Sequence, residues 1–86
     1  MTNRQRGLTK SVHSREQAAF RALMVAARKK AGLTQQDVAD LLKRPQSFVA
    51  KYEGGERRLD VVEFLAIARA IDADPVRLLK TLIRQL

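Results

Sequence analysis

The stretch "LTQQDVADLLKRPQSFVAKYEGGERR", Leu33–Arg58, decides the fold. Thr34 has the side chain of an N-cap, and the acid Asp37 stands at the third helical position, where free N–H groups and the helix dipole favour it. Val38, Leu41 and Leu42 give this helix its buried stripe. The helix is about two turns long, so packing rather than propensity must hold it. Only Lys43 and Arg44 precede Pro45, whose fixed φ and missing N–H suit the first turn of a helix. A break that short forces a sharp turn. The next helix is expected from Pro45 to about Glu53, stopped by Gly54-Gly55. Two short helices joined by a tight turn form a helix-turn-helix.

The second helix has two unlike sides. At about 100° per residue, with Gln46 at 0°, Ala50 falls at about 40°, Ser47 at about 100° and Lys51 at about 140°. Val49 at about 300° and Tyr52 at about 240° lie opposite. Phe48 falls between the faces and is assigned to packing. The polar face suits a major groove. A glutamine amide pairs bidentately with adenine N6 and N7, serine serves a base edge or phosphate, alanine touches a thymine methyl, and lysine favours guanine or phosphate. An ordinary exposed helix face could carry the same four residues.

Outward from this centre, the chain reads as helical throughout. Ser14 and Gln17 have capping-box spacing, and Val12 and Ala18 sit at staple positions. Phe20, Leu23, Met24 and Ala27 follow on one stripe. Arg28, Lys29 and Lys30 then precede Gly32, a basic last turn and a stop. Asp60 and Glu63 form a second box, before a stripe of Val61, Phe64, Leu65, Ala68 and Ile71. Asp74-Pro75 opens a last helix bearing Val76, Leu78, Leu79, Leu82, Ile83 and Leu86. The expected architecture is all-α. A compact five-helix domain spans 14–86, and a flexible basic arm spans 1–13.

Charge points to the partner. The 86 residues carry 17 Lys and Arg against 9 Asp and Glu, a net charge of +8. Residues 1–13 hold three cations and no acid, 14–59 hold ten and five, and 60–86 hold four and four. All of the excess therefore lies in the first two-thirds, as expected of a basic face meeting a polyanion. Arg4, Arg6 and Lys10 either form an arm that follows phosphate or a minor groove, or belong to a disordered leader. There is no cysteine and one histidine, His13, read as a helix-entry residue. No metal site or cofactor is expected. No catalytic triad, paired carboxylates in a cleft or phosphate-binding glycine loop stands in the sequence, so an enzyme is not expected. No membrane span or signal peptide is recognised, and the expected location is cytoplasmic.

The segments "AGLTQQDVADLL" and "PQSFVAKYEGGERR" resemble the helix-turn-helix of the phage-repressor/Cro (Xre) family over about residues 20–80. Gln35, Ala39, Val49 and Tyr52 match framework positions, and Glu53 and Gly55 match the acid and glycine that close the recognition helix. The resemblance implies that helix 3 enters the major groove, with Gln46, Ser47, Ala50 and Lys51 at base-reading positions. It implies that Gln35 contacts phosphate and braces the first recognition residue. It puts Arg57 and Arg58 in a phosphate-contacting loop and implies a salt bridge between Arg28 and Glu53. Three positions depart from the family. Lys43 stands where glycine is usual, Arg44 where an apolar residue is usual, and Ala50 where serine or another polar residue is common, which leaves one base-reading group fewer. A left-handed lysine costs about 1 kcal/mol relative to glycine, so a slightly altered turn is expected, with both cations near phosphate.

The expected function is a sequence-specific regulator of transcription, a repressor, acting on double-stranded DNA. Leu79, Leu82, Ile83 and Leu86 form a candidate dimer seam, and a homodimer on a pseudo-palindromic operator would follow. The alternative is an antitoxin or adaptor-type helix-turn-helix protein acting mainly through a protein partner, with helix 5 and the arm as working surfaces.

Overall fold

The computed structural model describes residues 14–86. The basic arm expected over 1–13 and the Val12 half of the staple lie outside the described residues. Five helices follow in order: α1 Arg15–Lys30, α2 Gln35–Leu42, α3 Gln46–Gly54, α4 Val61–Ala70 and α5 Pro75–Gln85. No strand occurs among the described residues.

Local chemistry sets the helix starts. Ser14 Oγ accepts from the Gln17 N–H at 3.0 Å. Thr34 and Asp37 cap each other reciprocally, as do Asp60 and Glu63. Asp74 accepts from the Val76 N–H at 2.9 Å, with Pro75 in the first turn. Each such cap is worth about 1 kcal/mol because it satisfies N–H groups that the helix leaves unpaired. Pro45 differs from expectation by one position. Its ψ of 149° is extended, so it is the N-cap of α3, and Gln46 is the first helical residue. Having no side-chain acceptor, it makes no cap hydrogen bond.

The helix ends show where backbone conformation matters. Lys43 sits at φ 58°, ψ 43°, left-handed, so the turn keeps the glycine-type conformation rather than adjusting to the lysine. Asp72, between α4 and α5, also has φ 58°. Gly55 ends α3 at φ 85°, and a Cβ there would stand 3.2 Å from the Arg21 guanidinium. Of the two adjacent glycines, only Gly55 needs the left-handed region.

The core joins Met24 of α1, Val38 and Ala39 of α2, Phe48, Val49 and Tyr52 of α3, and Phe64, Ile67, Ala68 and Ile71 of α4. Each large apolar side chain so buried contributes about 1.5–3 kcal/mol. That burial fixes α2, which is only 8 residues long, against α3 and α4. α5 has no fully buried residue and packs on α1 and α4, with Leu78 against the core.

Two expected stripes are rotated. Leu41 of α2 is 57% exposed, and Ala39 takes the inner position instead. In α4, Val61 and Leu65 face outward and Ile67 faces inward. Apolar residues line α4 almost all round, so its sequence admits more than one inward face.

Candidate nucleic-acid interface

The outward side of α3 carries the residues selected by angle. Gln46, Ser47 and Lys51 are exposed, Ala50 is half-buried, and Val49 and Tyr52 lie beneath. Burial pushes the Tyr52 phenol well above its ordinary value of 10.0, so it remains a protonated core side chain. Lys43, Arg44 and Arg58 flank this surface and are exposed.

A chain of hydrogen bonds ties the start of α3 to α1. Arg28 donates from Nε to Glu53 Oε2 at 2.8 Å and from NH2 to Glu53 Oε1 at 3.0 Å. It also donates to the Leu33 carbonyl at 2.8 Å. The two side chains are only 11% and 5% exposed, and the bond to Glu53 raises the Arg28 pKa further. Gln35 Nε2 then donates to Glu53 Oε1 at 2.9 Å. Gln46 Nε2 donates to Gln35 Oε1 at 2.7 Å. Four side chains from α1, α2 and both ends of α3 thus form one network, which fixes α3 against its neighbours and orients Gln46 at its tip.

A second cluster surrounds Phe48, which is 7% exposed and meets Tyr52 edge-on at 5.4 Å between ring centres. The Arg44 guanidinium lies over the Phe48 ring at 4.0 Å and that of Arg57 at 4.9 Å. Such cation–π contacts are worth about 0.5–1 kcal/mol at exposed sites. Arg57 also pairs bidentately with Glu63, at 3.0 and 2.7 Å, and donates to the Arg58 carbonyl at 2.8 Å. The Arg57 bonds, followed by the Asp60 N–H, hold the Glu63 carboxyl below its ordinary range.

The five cations and amides expected at phosphate therefore differ in geometry. Gln35 is committed to Glu53 and Gln46. Arg57 is committed to Glu63 and pins the α3–α4 loop to α4. Lys43, Arg44 and Arg58 are the exposed members. Phe48 packs in the core as expected, but the two guanidinium groups over its ring and the pairing of Glu63 with Arg57 were not visible in the sequence. Asp60-x-x-Glu63 announced a cap, but nothing in its spacing announced a partner in the preceding loop.

Away from α3, Val76, Leu79, Ile83 and Leu86 are exposed along α5. Leu82, assigned to the same seam, is half-buried and turns partly inward. A concavity of about 770 Å³ lies between α1 and α5 and is lined by none of the outward residues of α3. No helix among the described residues is long and apolar enough to cross a membrane.

Comparison with known proteins agrees with this geometry. The family model described as "Helix-turn-helix domain" matches residues 15–80. An XRE-family like protein from Pseudomonas syringae pv. tomato is 48% identical, over 79% of this chain and 87% of that one, with a TM-score of 0.72. The restriction-modification controller protein C.AhdI from Aeromonas hydrophila is 31% identical, over 71% and 92%, with a TM-score of 0.65. At 19% identity, the controller protein C.Esp1396I shares the fold, with a TM-score of 0.76 over 84% and 95% of the chains. It was crystallised as a tetramer with its natural 35 base-pair operator. A search of the curated proteins finds no match.

Proposed function

The chain belongs to the Xre-type helix-turn-helix family, and from that premise we propose that it is a sequence-specific double-stranded DNA-binding regulator of transcription. One observation carries the reading. The exposed Gln46 at the tip of α3 is held by Gln35 through a 2.7 Å hydrogen bond, and Ser47 and Lys51 stand beside it. A side chain held in this way loses little further freedom on meeting a base edge. In this reading α3 enters the major groove, Gln46, Ser47, Ala50 and Lys51 face base edges, and Lys43, Arg44 and Arg58 meet phosphate. Gln35 acts mainly as a brace. Arg57 acts mainly by shaping the loop, with phosphate a lesser role.

The protein acts as a repressor by occupying its site, in the cytoplasm and without catalysis or a cofactor. A homodimer forms at least on DNA, through the α5 stripe of Val76, Leu79, Ile83 and Leu86, with Leu82 below it. The operator complex of C.Esp1396I, a protein of like fold, supports an assembly on DNA. The same apolar stripe supports a second reading, in which α5 grips a different protein and DNA binding is secondary.

Selection of bound duplexes from a random pool tests the proposal. The expected result is one enriched sequence with two inverted half-sites. Retention of the pool without enrichment, lost as salt rises, would leave only non-specific attraction. A single half-site would support DNA reading and remove the dimer.

A further inference from the structure

The network behind Gln46 has a direction, and the direction is set by Glu53. An ionised carboxylate only accepts hydrogen bonds, whereas a primary amide has a donating end and an accepting end. Glu53 is 5% exposed at its side chain, and Arg28, a donor alone, occupies both of its oxygens. Gln35 can approach Glu53 only with its NH2 group, and it does so at 2.9 Å. Its carbonyl oxygen is then the atom that Gln46 meets, so Gln46 must also offer its NH2 group, at 2.7 Å. The exposed remainder of Gln46 is one N–H and one carbonyl oxygen. Adenine presents the complement of that pair, an acceptor at N7 and a donor at N6. Guanine presents two acceptors, N7 and O6, and would need the opposite amide orientation.

We propose that the buried Glu53 carboxylate determines base specificity at a distance, by fixing through Gln35 the amide orientation in which Gln46 selects adenine over guanine. This rests on the reading of α3 as the base-contacting helix. Glu53 is a positioning residue, since it touches no base. An amide at position 53 would offer Gln35 either an oxygen or an NH2 group. Both orientations of Gln46 then become accessible. Gln35→Met breaks the relay from the other side while leaving the Arg28–Glu53 pair intact, so it serves if Glu53→Gln does not fold.

The test uses two duplexes of the selected site that differ by A·T against G·C at the one pair whose discrimination Gln46→Ala abolishes. Their affinities are measured for the wild type, Glu53→Gln and Gln35→Met. The wild type is expected to favour adenine by about tenfold or more, the worth of a good bidentate pair. Both variants are expected to bring the ratio below about threefold, less than one such pair supplies. Discrimination at the other positions should persist. A wild-type ratio retained in either folded variant overturns the inference and leaves base reading intact. If Gln46→Ala alters discrimination at no pair, base reading by Gln46 fails, and the relay has nothing to transmit.

Discussion

Arg28 and Glu53 meet through two hydrogen bonds, Nε to Oε2 at 2.8 Å and NH2 to Oε1 at 3.0 Å, across 25 residues of sequence. Both side chains are nearly buried, so removing one leaves a desolvated charge behind. Arg28→Met is expected to destabilise the fold by about 3–5 kcal/mol, the usual cost of breaking a buried pair. Removing Arg57 from its partly exposed pair with Glu63 should cost only about 1 kcal/mol. Equilibrium urea unfolding of the two variants checks the order. Equal losses would show that the α1–α3 pair is no more than a surface contact.

Lys43 bears a left-handed backbone at φ 58°, where a Cβ is strained. Lys43→Gly is expected to stabilise the domain by about 1 kcal/mol. For a chain of this size that raises Tm by roughly 4–8 °C. A lower Tm would mean that the lysine side chain contributes more than its strain costs. The same variant should bind all DNA sequences less tightly if Lys43 lies at phosphate.

Arg44 and Arg57 share the Phe48 ring but differ in their other partners. Arg57 is hydrogen-bonded to the Glu63 carboxylate, whereas Arg44 only lies within its electrostatic reach. Arg44→Ala is expected to flatten the slope of log affinity against log salt by about 0.9, the value for one phosphate contact. It should do so equally on specific and random duplexes, with little change in stability. Arg57→Ala should change the salt slope less and the melting temperature more. The reverse pattern would return the phosphate contact to Arg57.

Glu63 gives the fold a pH dependence of known sign. Hydrogen bonds from Arg57 and then from the Asp60 backbone lower its pKa from the ordinary 4.5. The ionised form binds these partners, so its contribution is complete above pH 4.5 and is lost as pH falls through the lowered folded value. The wild type should therefore melt above Glu63→Gln at neutral pH, with the difference closing in acid below the ordinary carboxyl range. A constant difference down to pH 2 would show that the carboxylate charge is not what the partners need.

Most of the fold was legible because its signals are local. Thr34, Asp60 and Asp74 announce helix starts by their own side chains, and Gly32 and Gly55 mark stops. The inward faces were less legible where apolar residues exceed what one face can hold. α4 offers Val61, Val62, Leu65 and Ile67 around its circumference, and only packing with α2 and α5 makes Ile67 the buried one. The family resemblance suggested Gln35 beside Gln46, but no periodicity shows that Glu53 lies behind both. The Phe48 cluster draws on the turn, α3, the loop and α4 at once, so no single window of sequence contains it. The left-handed Asp72 was equally hidden, since aspartate has no single turn conformation.

Base reading by α3 through Gln46 is checked by titrating the wild type and Gln46→Ala against the selected duplex and a scrambled one at fixed salt. A loss of about 1–3 kcal/mol is expected on the selected duplex, with affinity for the scrambled duplex unchanged. Equal loss on both duplexes would contradict it.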